Sequence, residues 1–86
     1  MPRALTIQRT LVTPNEREKF HEKLKRKQAY YASARCRFWA FEEASLPGAF
    51  LEFFEADDAE TLAKAHADAP QQVLDPNRVY KEVELK

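Results

Sequence analysis

Among 86 residues, few side chains could do chemistry: His66, His21, Cys36, Trp39, Tyr31 and Arg9. His66 falls on the apolar face of a short predicted helix, with Leu62, Ala65 and Ala69. An imidazole there could act as a general base or ligand in a pocket between helix and sheet. The simpler and preferred reading is a partly buried histidine held by hydrogen bonds. His21 lies in a charged run beside Phe20 and reads as solvated. The two histidines lack a ligand spacing such as H-x-x-x-H, so no metal site is expected. Cys36 reads as a small buried hydrophobe rather than a reactive thiol. Trp39 is the best single ligand contact, because indole stacks on flat aromatic compounds, although an interface anchor is the preferred reading. Tyr31, ending the first predicted helix, could line a pocket mouth. Arg9 interrupts an otherwise aliphatic strand side and calls for a carboxylate, a carbonyl or an anionic ligand. His66 is thus the weak catalytic candidate, and Trp39, Arg9 and Tyr31 are the ligand-binding ones.

These residues must be positioned by one small domain. At this length a chain buries only about 60–65% of its unfolded surface, and self-association would add what a lone core lacks. Lys+Arg and Asp+Glu both number 14, so no net field draws in nucleic acid or an acidic membrane. One cysteine forms no intrachain disulfide, and no apolar run approaches a transmembrane helix or leader, so a cytoplasmic location is expected. A single glycine excludes the dinucleotide fingerprint and the phosphate-cradling loop.

Leu5–Val12 alternates as a strand, with Leu5, Ile7, Arg9 and Leu11 on one side and Thr6, Gln8, Thr10 and Val12 on the other. The aliphatic set is assigned to the helix side. Thr13-Pro14-Asn15-Glu16 predicts a capped helix start, and the helix runs to about Ala32 with a stripe of Phe20, Leu24 and Tyr31. Two strands follow, Arg35–Ala44 and Ala49–Glu55, joined at Leu46-Pro47-Gly48. A two- or four-residue loop places Arg37, Trp39, Phe41, Glu43, Phe50, Glu52 and Phe54 on one face. Cys36, Phe38, Ala40, Leu51 and Phe53 then share the other. Asp57-Asp58-Ala59-Glu60 caps a second helix that Pro70 halts. Residues 71–77 form a connector with a turn at Asp75-Pro76-Asn77, and Arg78–Lys86 alternates as a last strand.

The order β-α-β-β-α-β predicts an α+β, ferredoxin-like fold: a four-stranded antiparallel sheet with both helices on one face. The helices can cover only one side of the aromatic hairpin. The residues 49–53 (AFLEF), before an acidic turn and an Ala-rich helix, resemble part of an RNA-recognition motif. The basic residue and glycine that open that motif are replaced by Leu46 and Pro47, and Glu43 and Glu52 would repel phosphate, so no nucleic-acid partner is expected. As a whole the chain resembles the dimeric α/β-barrel superfamily, which includes the antibiotic-biosynthesis-monooxygenase-like proteins. The resemblance rests on strand order, on the Thr-Pro-x-Glu-(x)3-Phe helix start from Thr13 to Phe20, and on the ending from Asp75 to Val83. It implies a homodimer whose sheets pack face to face, with Trp39, Phe41, Phe50, Glu52 and Phe54 at the interface. It also implies a small hydrophobic or aromatic ligand, with monooxygenase-like chemistry that needs no cofactor. The haem-cleaving branch is similar only in part, since Gln8 stands where that pattern has Asn and Trp39 lies on the second strand. A non-catalytic assembly module is the alternative.

Overall fold

A computed structural model describes residues 2–71, 73 and 78–85. Its elements are β1 (Ala4–Leu11), a 3-10 turn (Pro14–Glu16), α1 (Arg17–Ser33), β2 (Cys36–Glu42), β3 (Ala49–Ala56), α2 (Ala59–Ala67) and β4 (Tyr80–Lys81). The strands form one antiparallel sheet in the order β2-β3-β1-β4. This is the expected ferredoxin-like arrangement. Among the described residues no helix is long and apolar enough to cross a membrane.

Local chemistry explains most element ends. Pro14 opens the 3-10 turn, where a missing N–H costs nothing. Thr13 makes no cap, because its hydroxyl donates to Asn15 Oδ1 (2.7 Å) instead. Asp58 does cap α2, accepting from the Thr61 N–H at 2.7 Å. Arg35 takes a left-handed conformation (φ 65°) just beyond α1, which turns the chain into β2.

The hairpin differs from expectation in one count, with large consequences. The Glu43 N–H donates to the Ala49 carbonyl (2.9 Å), which leaves five residues, 44–48, in the loop. An odd loop pairs like parities: Phe38 faces Phe54, Trp39 faces Phe53 and Phe41 faces Leu51. Phe50, Glu52 and Phe54 therefore lie on the helix side, not beside Trp39 and Phe41. Leu51 and Phe53 move to the open side.

β1 is likewise reversed. Ala4, Thr6 and Gln8 are buried beneath the helices, and Leu5, Ile7, Arg9 and Leu11 face away from them. The core between sheet and helices comprises Tyr31, Cys36, Phe38, Phe54, Leu62, Ala65 and Val73, with Ala4 and Ala56 letting the helices approach. The last strand is shorter than expected: only Tyr80 and Lys81 pair with β1, followed by one bond from the Glu82 N–H to the Arg3 carbonyl (2.8 Å). The expected turn at Asp75-Pro76-Asn77 lies outside the described residues.

Candidate functional site

The open face of the sheet is built in rows across β1, β3 and β2. One row is Ile7, Phe53, Trp39; the next is Arg9, Leu51, Phe41; a third is Leu5, Glu55, Arg37, with Tyr80 beside Leu5 on β4. Trp39 is 43% exposed, Phe41 60% and Leu11 67%. Phe41 and Phe53 meet edge to face, their centroids 5.6 Å apart. Charges bound this apolar floor at both ends. At one end Arg3 contacts Glu82 (2.7 Å) and Glu55 (3.3 Å), and Arg37 pairs with Glu55 and with Asp57 (2.9 Å). At the other, Arg9 lies 3.8 Å from Glu43.

The helix side is polar where β1 crosses it. Glu52 is fully buried and accepts from Lys27 Nζ (2.6 Å), Gln8 Nε2 (3.1 Å) and Thr10 Oγ1 (3.2 Å). His66 bridges Tyr31 and Thr6, with Nδ1 2.8 Å from the Tyr31 hydroxyl and Nε2 3.0 Å from the Thr6 hydroxyl. Burial holds the His66 imidazole below its ordinary range, which favours the neutral form. Burial also pushes the Tyr31 phenol and the Cys36 thiol up. Tyr30 donates to the Ala65 carbonyl at 2.6 Å. Every buried side-chain N and O among the described residues has a hydrogen-bond partner. Among the described residues this interior is a satisfied packing layer.

A groove of about 710 Å³ runs between α1 and β2, with Leu24, Phe38 and Phe50 in its floor and Arg17, His21, Lys25 and Gln28 along its helical wall. Arg17 grips Glu42 through two bonds (2.6 and 2.7 Å) and lies over the Phe50 ring. That grip and the Gly48 N–H hold the Glu42 carboxyl down at about 2. Among the described residues no group of three His, Cys, Asp or Glu side chains is placed to hold a metal.

The sequence candidates thus separate. Trp39 and Phe41 share the open face; Arg9 joins them there, opposite to its expected side, and meets Glu43. His66 and Tyr31 come together in the core, far from solvent. Phe50, Glu52 and Phe54 belong to the chain's own interior. Sequence reasoning missed Leu5, Ile7, Leu11, Leu51 and Phe53 as open-face residues. A signal existed: His66 and Tyr31 on inner helix faces need hydroxyl or amide partners, and on β1 only the Thr6/Gln8/Thr10 side supplies them.

Compared with family models, curated proteins and solved structures, the chain finds no match.

Proposed function

We propose that the chain acts as a homodimer of the dimeric α/β-barrel kind, with two copies meeting through their open sheet faces, and that its first role is assembly. The observation that supports this is the inversion of β1: Thr6 and Gln8 turn to the helices while Leu5, Ile7 and Leu11 turn outward. A strand selected for a lone monomer would place these sets the other way. Joined to Trp39, Phe41, Leu51 and Phe53, the outward set makes a contiguous apolar surface with a charged rim, the composition of a stable subunit contact. A second copy is self-complementary to such a surface. A cytoplasmic setting accords with this reading, in which the lone Cys36 is a buried thiol.

Sedimentation tests it. The wild-type chain is expected at the dimer mass, and Ile7→Asp is expected to give a folded monomer, since Ile7 lies outside the core. A wild-type chain that stays monomeric at high concentration overturns the reading.

A second reading has its own observation. Trp39, Phe41 and Phe53 present ring surface around Arg9 and Leu51. Between two such sheets a small hydrophobic or aromatic metabolite would find flat stacking partners and a cation, and monooxygenase-like chemistry without a cofactor would take place there. A thermal-shift screen with aromatic carboxylates and hydroquinones tests it, because a bound ligand raises the melting temperature by mass action. Absence of any shift leaves assembly as the function.

A further inference from the structure

We propose that the free edge of β2, with the groove beside α1, takes up an extended segment of a partner protein. The segment lies antiparallel to β2, with a large apolar residue opposite Ala40 and a carboxylate opposite Phe38. The site is the margin and helix side of β2, so it goes beyond the proposed subunit contact through the open face.

The backbone of β2 supplies the first argument. Among the described residues β2 is a margin of the sheet, with β3 as its one neighbour. In an antiparallel ladder, residues alternate between bonding to the neighbouring strand and facing away from it. The bond from the Glu43 N–H to the Ala49 carbonyl sets that phase. Odd residues of β2 bond to β3, so Phe38, Ala40 and Glu42 turn their backbone N–H and C=O outward. Proteins blunt such edges with lysine, proline or a bulge. The β2 sequence, CRFWAFE, has neither lysine nor proline, and it pairs with β3 without interruption from Cys36 to Glu42. It is an open template for another strand.

The side chains select the occupant. α1 packs over β3, with the Phe20 ring against Phe50 (4.8 Å between centroids) and Lys27 on Glu52 (2.6 Å). Ala40, on the helix side of β2, is therefore left exposed in the groove, whose floor is Leu24, Phe38 and Phe50. A strand added to β2 sends alternate side chains into this groove. The one opposite Ala40 finds the gap above a methyl group and an apolar floor, which suits leucine or a larger apolar residue. Charge fixes its neighbours. α1 runs from Arg17, bonded to Glu42, to Tyr31, stacked 6.3 Å from Phe38. Lys25 and Gln28 thus stand on the wall towards the Phe38 end. Lys25 is 3.8 Å from Glu22, and both are more than half exposed, a contact worth little. A carboxylate opposite Phe38 takes Lys25 as its partner, whereas one opposite Glu42 would meet another carboxylate whose arginine is already engaged. A small apolar acid could enter the same groove, but it would gain nothing from the outward backbone groups.

The experiment titrates the full chain into a fluorescein-labelled synthetic peptide of sequence SQVLVES, amidated at its end, and reads anisotropy. Laid antiparallel, this peptide sets its leucine opposite Ala40 and its glutamate opposite Phe38. A saturable rise is expected. A peptide N-methylated at the leucine should bind about tenfold more weakly, or worse, because that N–H is the one given to the Ala40 carbonyl. A peptide N-methylated at the next valine, whose N–H points away from β2, should bind as the parent does. Lys25→Glu, at an exposed position, should weaken the parent peptide and leave an analogue with glutamine for glutamate little changed. A rise that does not saturate, or one that the leucine N-methyl leaves unchanged, overturns the inference. Ile7→Asp keeps the two readings apart. The peptide should bind that variant as it binds wild type, whatever the variant's mass, and loss of binding there would place the peptide on the open face and overturn the strand addition.

Discussion

Glu52 is a fully buried carboxylate that forms an ion pair with Lys27. It sits on the central strand β3, wholly out of water, with Lys27 as its cationic partner and Gln8 and Thr10 as further donors. Such a pair adds little net stability, but breaking it strands the other charge in the interior. Glu52→Ala is therefore expected to cost about 3–5 kcal/mol in chemical denaturation. Adding Lys27→Met should recover part of the loss, because no orphan ammonium remains, while Gln8 and Thr10 still lack their acceptor. His66 sets a pH dependence of definite sign. Its folded form favours the neutral ring, so below the ordinary value of 6.5 the unfolded chain binds more protons than the folded one. Stability from this residue is complete above that value and falls as the pH drops through it towards the lowered folded value. Melting temperatures at pH 7.5 and 5.5 should diverge for wild type and much less for His66→Gln. The burial and hydrogen bonding of His66 were legible beforehand, whereas the Glu52 cluster was not, because a glutamate on an alternating strand reads the same whether it faces water or a buried lysine.

At the scale of elements, the hairpin loop decides which aromatics belong to the core and which to the surface. Leu46-Pro47-Gly48 was readable as a turn from residue type alone, and the two strands flanking it were placed nearly to the residue. Loop length was not readable, since five residues and four differ by no compositional mark, and one residue inverts the parity of all pairs. Gly48 fixes the count physically. It adopts φ 97°, its carbonyl accepts from the Val12 N–H (2.7 Å) and its N–H donates to Glu42 (2.9 Å). A Cβ there would stand 2.5 Å from the Val12 carbonyl oxygen. Gly48→Ala should cost about 1–3 kcal/mol, read as a lower denaturant midpoint. Arg35 offers the opposite case. It occupies a left-handed conformation without being glycine, so Arg35→Gly should stabilise the α1–β2 junction by about 1 kcal/mol.

At the scale of the whole molecule, the ferredoxin-like order was legible because helix starts, breakers and strand alternation all agreed. That the hairpin is apolar on both sides was legible too, although three of the five residues assigned to an interface on its outer side, Phe50, Glu52 and Phe54, face the helices. The conclusion survives the exchange because the hairpin is oily on both sides: Phe38, Phe50 and Phe54 go inward, and Trp39, Phe41, Leu51 and Phe53 go outward. What the corrected register adds is β1, whose outward aliphatics join the hairpin to complete a surface spanning the sheet. If two copies close over that surface, folding and association are one equilibrium, and stability becomes a function of concentration. A tenfold rise in protein concentration is worth about 1.4 kcal/mol per dimer, hence roughly 0.7 per chain. For a domain of this size that raises the melting temperature by about 3–6 °C. Ile7→Asp should melt lower than wild type and at the same temperature across the dilution series, because it removes the association without opening the core.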